Sequence, residues 1–550
     1  MKVILLSSLA ILTASAMTVN ASDKKIVSFA WEWKTTGPLE LLELQPQIAA
    51  VGLDGIGIYL NFEQDGKMCM SRSICEQRWR YDSMRPELER FRNVLGRPGL
   101  TDCFLSSFFV PQKRFSWTDD ASWSLLRDNM RLAARFARES GCVGLFVDHE
   151  DYPRQRQFER IQGDPPMPEL EVLVRRRGRE LFEAVFEEFP DARLFFFWFM
   201  TEHARGFNGA AEPLQTLRDA NKLWAFFANG ILDVMPPLGR IYDGNECSYE
   251  YSSEDFEYLI QANAIRQMDG FAFPENRMKY RNQVHPSAAL YLQMYCQASS
   301  AHRWYRPPFA GSRLGMFRRD LKQALDSVDE YLWTWSEKNP FVRRERHEDG
   351  KSDPSNDNSI SQNKTFDELM PGFNHSIIAI KDPVRFMNEM ATGSVCSAFA
   401  STSLVPADFS PNYCWQKKAN GRELGNFVAD NAVFGASAPS VRIEGVANGC
   451  VMSSVAGVQA GEIYVVRVRA KVQSGGFSAN VKWKRNGKWR HFETSTALSF
   501  GNPDELGWRM GSAVVTTPCN VDTLVLMFHA NQDVGDVCWA DDVEIVRIDR

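Results

Sequence analysis

The stretch GLFVDHEDYP, residues Gly144 to Pro153, decides the fold of the larger part of this chain. It is an apolar run of β type that ends abruptly in Asp148, His149, Glu150 and Asp151. Because side chains alternate faces along a strand, Asp148 and Glu150 are expected to point to the same side. Like charges that share a cavity raise the pKa of one carboxyl, which then stays protonated as a general acid. The alternative is a strand end followed by an acidic loop, in which Asp151 caps a helix or turn.

The same pattern of a β-type run, a polar turn and a helical period recurs from residue 25 to about 345. Eight such runs alternating with helices predict an α/β fold, a (β/α)8 TIM barrel. An open doubly wound sheet is the competing architecture, and the lack of a Gly-rich phosphate loop after the first run favours the barrel. The runs are Ile26–Trp33, Gly55–Asn61, Cys103–Val110, Val143–Glu150, Arg193–Glu202, Gly239–Asp243, Ala288–Cys296 and Glu330–Glu337.

The sequence pattern changes near residue 392, where short strand-like runs begin to alternate with Gly, Asn and Pro turns. This pattern predicts an all-β sandwich of common domain size. A chain of 550 residues is also longer than one core usually supports. We therefore expect a barrel over residues 22–391 and a sandwich over residues 392–550.

The first 21 residues have the pattern of a secretory signal peptide. Lys2 precedes an apolar run from Val3 to Ala16, and small residues close the segment before Ser22. The run is too short to span a bilayer, and no long uncharged apolar stretch follows it. We expect a secreted protein without a membrane span, located in a periplasm or outside the cell.

The net charge and the cysteine spacing limit the expected classes of partner and metal site. The formal net charge of −6 provides no basic field, so nucleic acid is not an expected partner. The 11 cysteines show no paired metal-type spacing. Cys69 and Cys75 are close enough in sequence to close a loop by a disulfide bond, and Cys519 and Cys538 are candidates for a disulfide bond across strands. The sequence leaves the oligomeric state open.

The predicted barrel and sandwich together resemble a secreted glycoside hydrolase whose family is unassigned. DHEDYP is similar to the end of the chitinase signature, in which a Glu protonates the leaving oxygen and an Asp two residues earlier orients an acetamido group. That resemblance implies that Glu150 is the acid and Asp148 its neighbour. Val143 and Phe146 stand where the earlier acids of the signature would be.

The C-terminal part resembles the jelly-roll carbohydrate-binding modules. The residues that carry this resemblance are Pro406–Trp415, Gly461–Tyr464, Gly507–Trp508 and Trp539–Val543. The resemblance implies a structural calcium ion at Asp541 or Asp542. The alternative is a turn or strand-end acid exposed to water, since two acids fall short of a six-to-eight oxygen site.

Active sites of barrels gather at the C-terminal ends of the strands, so the residues with which each predicted run ends are the candidates for substrate contacts. Acids and aromatics are concentrated there, as expected for a sugar-binding mouth. The substrate-binding candidates are Trp31, Trp33, Tyr59, Asn61, His203, Asp243, Tyr249, Tyr295, Trp335 and Glu337.

Each of these candidates has a structural alternative. At least half of the aromatic residues should be core, because neighbours on a strand point to opposite faces. A lone His such as His203 is more often a structural hydrogen-bonding group. Glu337 precedes Lys338 and is a candidate for a surface ion pair. Asp243 precedes Gly244 and equally suits an Asx turn.

A glycosidase usually needs a second carboxylate, about 5 Å from the acid as a nucleophile or about 6.5 to 9.5 Å away as a base. Glu246 is the first choice, because it follows a Gly-containing turn after the sixth run. Glu337 comes next and Asp243 third.

The sequence thus predicts an enzyme that hydrolyses glycosidic bonds in an oligo- or polysaccharide. Glu150 would be the general acid, Glu246 the nucleophile or base, and Asp148 a residue that steers charge, with no cofactor for catalysis. A barrel that only binds glycans or a cell-wall polymer is the alternative. A deacetylase or lyase is a third possibility, but a lyase would prefer a basic pocket and a metal-dependent deacetylase clustered His, whereas the eight His are scattered.

Overall fold

The structure is a computed structural model that describes most of residues 24–548. The ranges outside the description are 1–23, 72–73, 109–110, 112, 152–154, 202–208, 252–256, 310, 344–363, 384, 387–388, 390–400, 404–408, 419–420, 492, 494, 519 and 549–550. The predicted signal peptide, His203 and the boundary between residues 391 and 392 fall in these ranges.

The first domain is built on a parallel sheet of nine strands in the order β10-β11-β1-β2-β5-β6-β7-β8-β9. Strands β3 and β4 form a separate hairpin. The strands are β1 (Lys25–Ser28), β2 (Gly55–Ile58), β3 (Asn61–Gln64), β4 (Lys67–Met70), β5 (Phe104–Phe108), β6 (Gly144–Asp148), β7 (Arg193–Phe196), β8 (Arg240–Asp243), β9 (Val284–Pro286), β10 (Ala288–Tyr291) and β11 (Tyr331–Trp335).

The two ends of this sheet nearly meet. Only Ser287 separates β9 from β10, and its N–H donates to the carbonyl of Asp243 at 2.9 Å. The sheet is therefore a nearly closed parallel barrel. Each of the eight predicted runs overlaps one of its strands, whereas β9 was not predicted because it follows a helix without a turn signal.

Helices lie between the strands, as the sequence predicted. α3 shows why they form: Asp119 accepts N–H groups of Ala121 and Ser122 at its start, and Gly141 ends it at a φ of 95°. The helices are α1 (Pro38–Val51), α2 (Tyr81–Arg92), α3 (Asp120–Ser140), α4 (Met167–Glu188), α5 (Pro213–Asp219), α6 (Trp224–Val234), α7 (Glu257–Arg266), α8 (Arg277–Gln283), α9 (Gln293–Cys296), α10 (Arg313–Ser327), α11 (Phe366–Leu369) and α12 (Phe373–Lys381).

Large aromatic side chains fill the interior of the barrel. Phe29 stacks on Phe146 with ring centroids 3.8 Å apart, and Phe195 and Trp333 pack against the pair. A Cβ at Gly57 would lie 2.8 Å from the Phe29 ring, so the glycine makes room for it. Because the interior is packed, an open cavity can form only beyond the strand ends.

The second domain consists of two antiparallel sheets with a hydrophobic core between them. One has the order β14-β15-β24-β17-β22-β21, with β12 paired to β24, and the other has the order β13-β16-β23-β18-β19, with β20 paired to β18. The strands are β12 (Ser401–Ser403), β13 (Cys414–Gln416), β14 (Asn426–Asp430), β15 (Ser440–Glu444), β16 (Gly449–Ala456), β17 (Ile463–Val472), β18 (Gly476–Arg485), β19 (Lys488–Trp489), β20 (Thr496–Ala497), β21 (Ser499–Phe500), β22 (Trp508–Thr516), β23 (Thr523–Asn531) and β24 (Val537–Ile548). A β-sandwich was predicted here.

The sandwich packs directly on the barrel. Val465 of β17 faces Val514 of β22, and both belong to the same hydrophobic cluster as the helices α10 and α12. Gly461 approaches α10 so closely that a Cβ there would lie 2.6 Å from the carbonyl oxygen of Gly315. The first sheet of the sandwich therefore buries apolar surface against the barrel.

The cysteines in the described ranges carry free thiols. Cys69 and Cys75 do not form the predicted disulfide bond: Cys69 is buried on β4 and accepts a hydrogen bond from the Gln77 amide, and Cys75 is also buried. Cys538 is a buried thiol, and its suggested partner Cys519 lies outside the described residues. No helix in the described ranges is long and apolar enough to cross a membrane.

The packed contact between the two domains predicts that Val465→Asp destabilises the protein. Val465 is 1% exposed, so the substitution places an unpaired charge in an apolar contact and should lower the free energy of unfolding by at least about 3 kcal/mol. Chemical denaturation of the full chain measures the loss. Val428→Asp, at a position 42% exposed on β14, is the matched control and should change stability little. Equal stability of the two variants would mean that the sandwich is not held against the barrel.

Candidate active site

A cavity of about 290 Å³ opens at the C-terminal ends of β8, β10 and β11. This is the end of a parallel barrel at which active sites gather. Acidic and aromatic side chains dominate its lining, which consists of Glu246, Cys247, Tyr249, Glu250, Tyr291, Arg303, Trp304, Trp335 and Glu337. Four predicted residues thus meet in one cavity: Glu246, Tyr249, Trp335 and Glu337.

Glu246 reaches the cavity through a tight turn after β8. A Cβ at Gly244 would lie 2.4 Å from the carbonyl oxygen of Phe196, and Asn245 adopts a left-handed φ of 48°. The N–H of Glu246 then donates to the carbonyl of Phe197 at 3.0 Å. These constraints fix the start of the 3₁₀ turn Glu246–Glu250, which carries four of the lining residues.

Asp243 holds this turn together and is not open to a substrate. Its carboxylate accepts the N–H groups of Met200, Thr201 and Asn245 and the hydroxyl of Thr201. The side chain is fully buried, and burial raises its pKa. The hydrogen bond from the Asn245 N–H forms an Asx turn, which is the structural alternative that the sequence offered for Asp243. The structure therefore places Asp243 beneath the site, where it positions Glu246.

Glu337 lines the cavity just beyond β11. The hydroxyl of Tyr291 donates to its carboxylate, and burial together with the charge of Glu337 raises the pKa of Tyr291. The N–H of Glu337 donates to the side-chain oxygen of Gln293 at 2.9 Å. Glu337 is thus oriented toward the cavity by two groups that follow or end β10.

Tyr249 lies where the glutamates converge. Its side chain is 8% exposed, and its buried hydroxyl has no hydrogen-bond partner among the described residues. Burial raises the pKa of Tyr249 well above its usual value, and the charges of Glu246, Glu150 and Glu337 raise it further. Carboxylates from the ends of three different strands therefore act on one phenol.

At the end of β6, Asp148 and Glu150 are not arranged as the predicted pair on one face of the strand. The strand ends at Asp148, which is buried and accepts the N–H of Glu150 at 3.1 Å. Alternation therefore stops at Asp148, and Glu150 belongs to the loop that follows. His149 points away from the barrel axis and stacks on Trp224 at 3.9 Å. Asp151 accepts the N–H groups of Gln157 and Phe158, as the loop-cap alternative expected.

Trp335 lines the cavity, and Trp31 lies beside it. Trp31 is 44% exposed and meets Trp335 edge to face at 6.3 Å. The ammonium group of Lys34 lies 3.7 Å from the Trp31 ring. Nearby, the Asn61 side chain donates to the carbonyl of Lys34 at 3.5 Å. Trp31 is the exposed ring of this pair, and an exposed indole is suited to stacking on a sugar face.

Three other predicted substrate-binding residues are buried. Trp33 donates to Ser28 from inside the core, because the 3₁₀ turn Trp31–Thr35 breaks the strand alternation. The hydroxyl of Tyr295 donates to buried Asp320, because the chain enters α9 directly after β10. Tyr59 is 5% exposed and stacks on Phe108. Trp33 and Tyr295 thus lie in the core and not at the mouth, which differs from the prediction.

Sequence reasoning missed Cys247, Glu250, Tyr291, Arg303 and Trp304. Tyr291 was within reach, since it lies two residues after Ala289 on the predicted seventh run and faces Trp335 in register. Arg303 and Trp304 come from a loop after α9 that has no periodic pattern. Only tertiary structure brings that loop to the cavity.

The sandwich has a second cavity, of about 710 Å³, on the face of the sheet that contains β16, β18 and β23. Ser478, Asn480 and His529 line it. Trp415 is opposite Cys450, Cys450 opposite His529 and His529 opposite Ser478, so Trp415 shares this face. Trp415 is 48% exposed, which gives a polar groove one aromatic platform.

Asp541 and Asp542 anchor a loop of the sandwich. Asp541 is fully buried and accepts N–H groups of Gly435 and Asp542, and Asp542 accepts that of Ala436. The guanidinium of Arg469 lies 3.5 Å from the carboxylate of Asp542, which disfavours a second cation there. The described residues contain no group of three or more His, Cys, Asp or Glu that could hold a metal ion. Calcium at this position stays a prediction and enters no step proposed below.

Comparison with known proteins gave structural matches to parts of this chain. No family profile and no curated protein matches the chain. A bacteriophage CBA120 tailspike domain is similar at 12% identity over 26% of this chain and 21% of that chain, with a TM-score of 0.22. The CBM22-1 and GH10 modules of a Clostridium thermocellum xylanase give 15% identity over 26% of this chain and 28% of that chain, with a TM-score of 0.21. The match to these two structures spans less than a third of their lengths.

A third match is a separate domain. The CBM22-1 xylan-binding domain from Paenibacillus barcinonensis is 14% identical over 27% of this chain and 92% of that chain, with a TM-score of 0.19. The structural neighbours thus include glycoside hydrolase and carbohydrate-binding modules, without assigning a family.

The hydrogen bonds of Asp243 predict that Asp243→Ala destabilises the barrel. Loss of the carboxylate leaves several buried donors without an acceptor, at about 1–3 kcal/mol each, so the free energy of unfolding should fall by more than about 3 kcal/mol. Denaturant titration measures the change. Asp269→Ala, which removes a surface ion pair with Arg281, is the control and should lose less than about 1 kcal/mol. A loss at Asp243 no larger than the control would contradict its role beneath the turn.

Proposed function

We propose that this chain is a glycoside hydrolase with a (β/α)8 catalytic barrel, exported by a signal peptide at residues 1–21. One observation carries the proposal: carboxylates from three strand ends, Glu150, Glu246 and Glu337, act on the same buried phenol beside an aromatic-lined cavity. Hydrolysis of a glycosidic bond needs a pair of such carboxylates. No organic cofactor is needed for this chemistry.

Glu150 serves as general acid and Glu246 as nucleophile or base. The N–H of Glu150 is held by Asp148, so Asp148 acts by positioning the acid. Glu246 is fixed from below by the Asp243 turn. Glu337 shares the cavity with Glu246 and is the alternative partner, because Tyr291 already orients its carboxylate.

The aromatic walls suit a sugar substrate. Trp31 and Trp335 supply faces at the rim, and the buried Tyr249 hydroxyl can hydrogen-bond to a bound sugar. The substrate class is an oligo- or polysaccharide, and the small cavity accommodates a terminal or single inner sugar unit.

The sandwich supports a second candidate function, glycan binding without catalysis. Its polar groove shares a face with the exposed Trp415, and stacking combined with amide and imidazole hydrogen bonds is a common way to hold sugars. If only this groove is active, the chain is a glycan-binding protein and the barrel is its scaffold.

Replacing Glu246 by Gln should abolish hydrolysis. The change keeps shape but removes the charge, and a lost acid or base costs about 10²- to 10⁴-fold in rate. Reducing-end assays on a panel of plant, algal and microbial glycans identify the substrate, after which Glu246→Gln, Glu150→Gln and Glu337→Gln are compared on it. Two of the three variants should lose activity to this extent, including Glu246→Gln.

Glu183→Gln, on the exposed face of α4, is the matched control and should keep full activity. Unchanged turnover in Glu246→Gln would remove that residue from the mechanism. Release of acetate or of an unsaturated sugar instead of a new reducing end would replace hydrolysis by deacetylation or elimination.

Binding by the sandwich should depend on Trp415. Trp415→Ala removes the exposed platform, and one lost aromatic contact of about 0.5–1.5 kcal/mol should weaken retention on an insoluble polysaccharide severalfold. Affinity electrophoresis through gels containing the polysaccharide measures it. Phe434→Ala, 40% exposed in a loop of the sandwich, is the control. Equal retardation of the two variants would argue against the groove as a glycan site.

A further inference from the structure

One wall of the mouth cavity is a loop that follows α9, residues 298–309, which we call the wall loop. It supplies Arg303 and Trp304 to the lining. The Trp304 ring meets the rings of Tyr291 and Tyr249 edge to face, with centroids 5.4 and 6.3 Å apart. The position of the wall loop therefore sets the width of the cavity on this side.

A buried ion pair holds the wall loop on α10. The Nε and one terminal nitrogen of Arg306 lie 3.2 and 3.0 Å from the Oδ2 atom of Asp320, and the hydroxyl of Tyr295 donates to the same oxygen at 2.7 Å. The N–H of Arg306 donates to the carbonyl of Met294 at 3.1 Å. Arg306 and Asp320 are both buried. Because breaking a buried pair leaves an unpaired charge, this contact fixes the loop relative to the helix.

The end of the wall loop is also attached to the first turns of α10. Phe309 and Ser312 exchange backbone hydrogen bonds of 3.1 and 2.9 Å. The hydroxyl of Ser312 then caps the helix by accepting the N–H of Gly315 at 2.9 Å. The guanidinium of Arg319 lies 4.9 Å from the Phe309 ring. A displacement of these turns would therefore displace the loop as well.

The sandwich contacts the same turns from the other side. A Cβ at Gly461, just before β17, would lie 2.6 Å from the carbonyl oxygen of Gly315 and 3.4 Å from the backbone nitrogen of Arg319. Leu314 of α10 and Ile463 of β17 belong to one hydrophobic cluster. The start of α10 thus lies between the sandwich and the wall loop.

We propose that the sandwich positions the mouth of the barrel. The contact at Gly461 sets the place of α10, and α10 sets the wall loop through the pair of Arg306 and Asp320. Gly461 and Asp320 are positioning residues in this scheme, since they act on the cavity through Trp304. Close-packed contacts pass on a displacement because they contain few voids that could absorb it. The inference rests on the proposed function only for the use of the cavity.

The test compares two glycines of the loop between β16 and β17. Gly457 and Gly461 have nearly the same left-handed φ, 78° and 79°, so an alanine strains the backbone alike at both positions. No atom of the described residues lies within 4 Å of a Cβ at Gly457, whereas a Cβ at Gly461 would press on α10. Gly457→Ala is therefore the matched control for Gly461→Ala, and only the latter should move the wall loop.

Fluorine NMR follows Trp304 without a substrate. The full chain is labelled with fluorotryptophan, and the Trp304 resonance is identified by its loss in Trp304→Phe. This resonance should shift in Gly461→Ala and keep its frequency in Gly457→Ala. A Trp304 resonance that Gly461→Ala moves no further than Gly457→Ala does would overturn the proposal.

Kinetics on a glycan that the chain cleaves provide the second measurement. A displaced wall weakens contact with the sugar and leaves the reacting groups in place. The KM of Gly461→Ala should therefore exceed that of Gly457→Ala by about 2- to 10-fold, the range of one lost aromatic contact, while kcat stays nearly the same. Equal KM values in the two variants, or a loss confined to kcat, would also overturn the proposal.

Arg306→Lys tests the other end of the path, and it decides the outcome if Gly461→Ala does not fold. A lysine keeps the charge but cannot place two nitrogens on Asp320, so the Trp304 resonance should shift and KM should rise. Arg281→Lys is the matched control, because two nitrogens of Arg281 likewise bind one oxygen of Asp269, at the surface. A Trp304 resonance that Arg306→Lys leaves unchanged would remove the ion pair from the path and overturn the proposal.

The two proposals fail in different ways. Cleavage of a glycan with the same KM in Gly461→Ala and Gly457→Ala contradicts the positioning by the sandwich and leaves the hydrolase proposal standing. A Trp304 resonance that responds to Gly461→Ala and Arg306→Lys, in a chain that cleaves no glycan, contradicts the hydrolase and leaves the positioning intact.

Discussion

Aromatic packing inside the barrel is the constraint on which the other features depend. Phe29, Phe146, Phe195 and Trp333 occupy the axis in mutual contact, and the indole N–H of Trp333 donates to the carbonyl of Gly244 at 2.7 Å. That bond ties the packed interior to the turn that carries Glu246. The solid interior also restricts the open volume to the mouth, where the glutamates converge.

At the mouth, repulsion between carboxylates is opposed by the hydrogen bonds that hold them in place. Carboxylates from separate strands are brought near each other and near Tyr249, which costs electrostatic energy. The rigid supports beneath them, Asp243 and Tyr291, keep these groups from moving apart. A crowded, preorganised set of acids is what proton transfer to and from a sugar requires.

The sandwich differs in its relation to the barrel from a module on a tether. Val465 and Val514 bury their side chains against the barrel helices, so one sheet is committed to this contact. The other sheet carries the groove and Trp415. Whatever the groove binds is thus linked to the barrel by a packed contact and not only by chain connectivity.

Much of the fold follows from the sequence, because period-2 and helical patterns are local. The eight predicted runs each overlap a strand, and a β-sandwich forms the C-terminal part of the described chain. The site was predictable where a residue ends a strand, as for Trp335, or follows it closely, as for Glu337. The site was not predictable where a turn breaks the strand alternation, as at Trp33. It was also not predictable where a loop distant in sequence from the strand ends contributes a lining residue, as for Trp304. Those positions depend on tertiary packing that no local pattern encodes.

The most direct test of this account is a crystal structure of the Glu246→Gln variant with an oligosaccharide that the unaltered protein cleaves. The account predicts a sugar unit in the mouth cavity, with its scissile oxygen flanked by position 246 and by Glu150 or Glu337 and its ring against Trp335. Oligosaccharide bound only in the sandwich groove, or a scissile bond remote from all three positions, would contradict it.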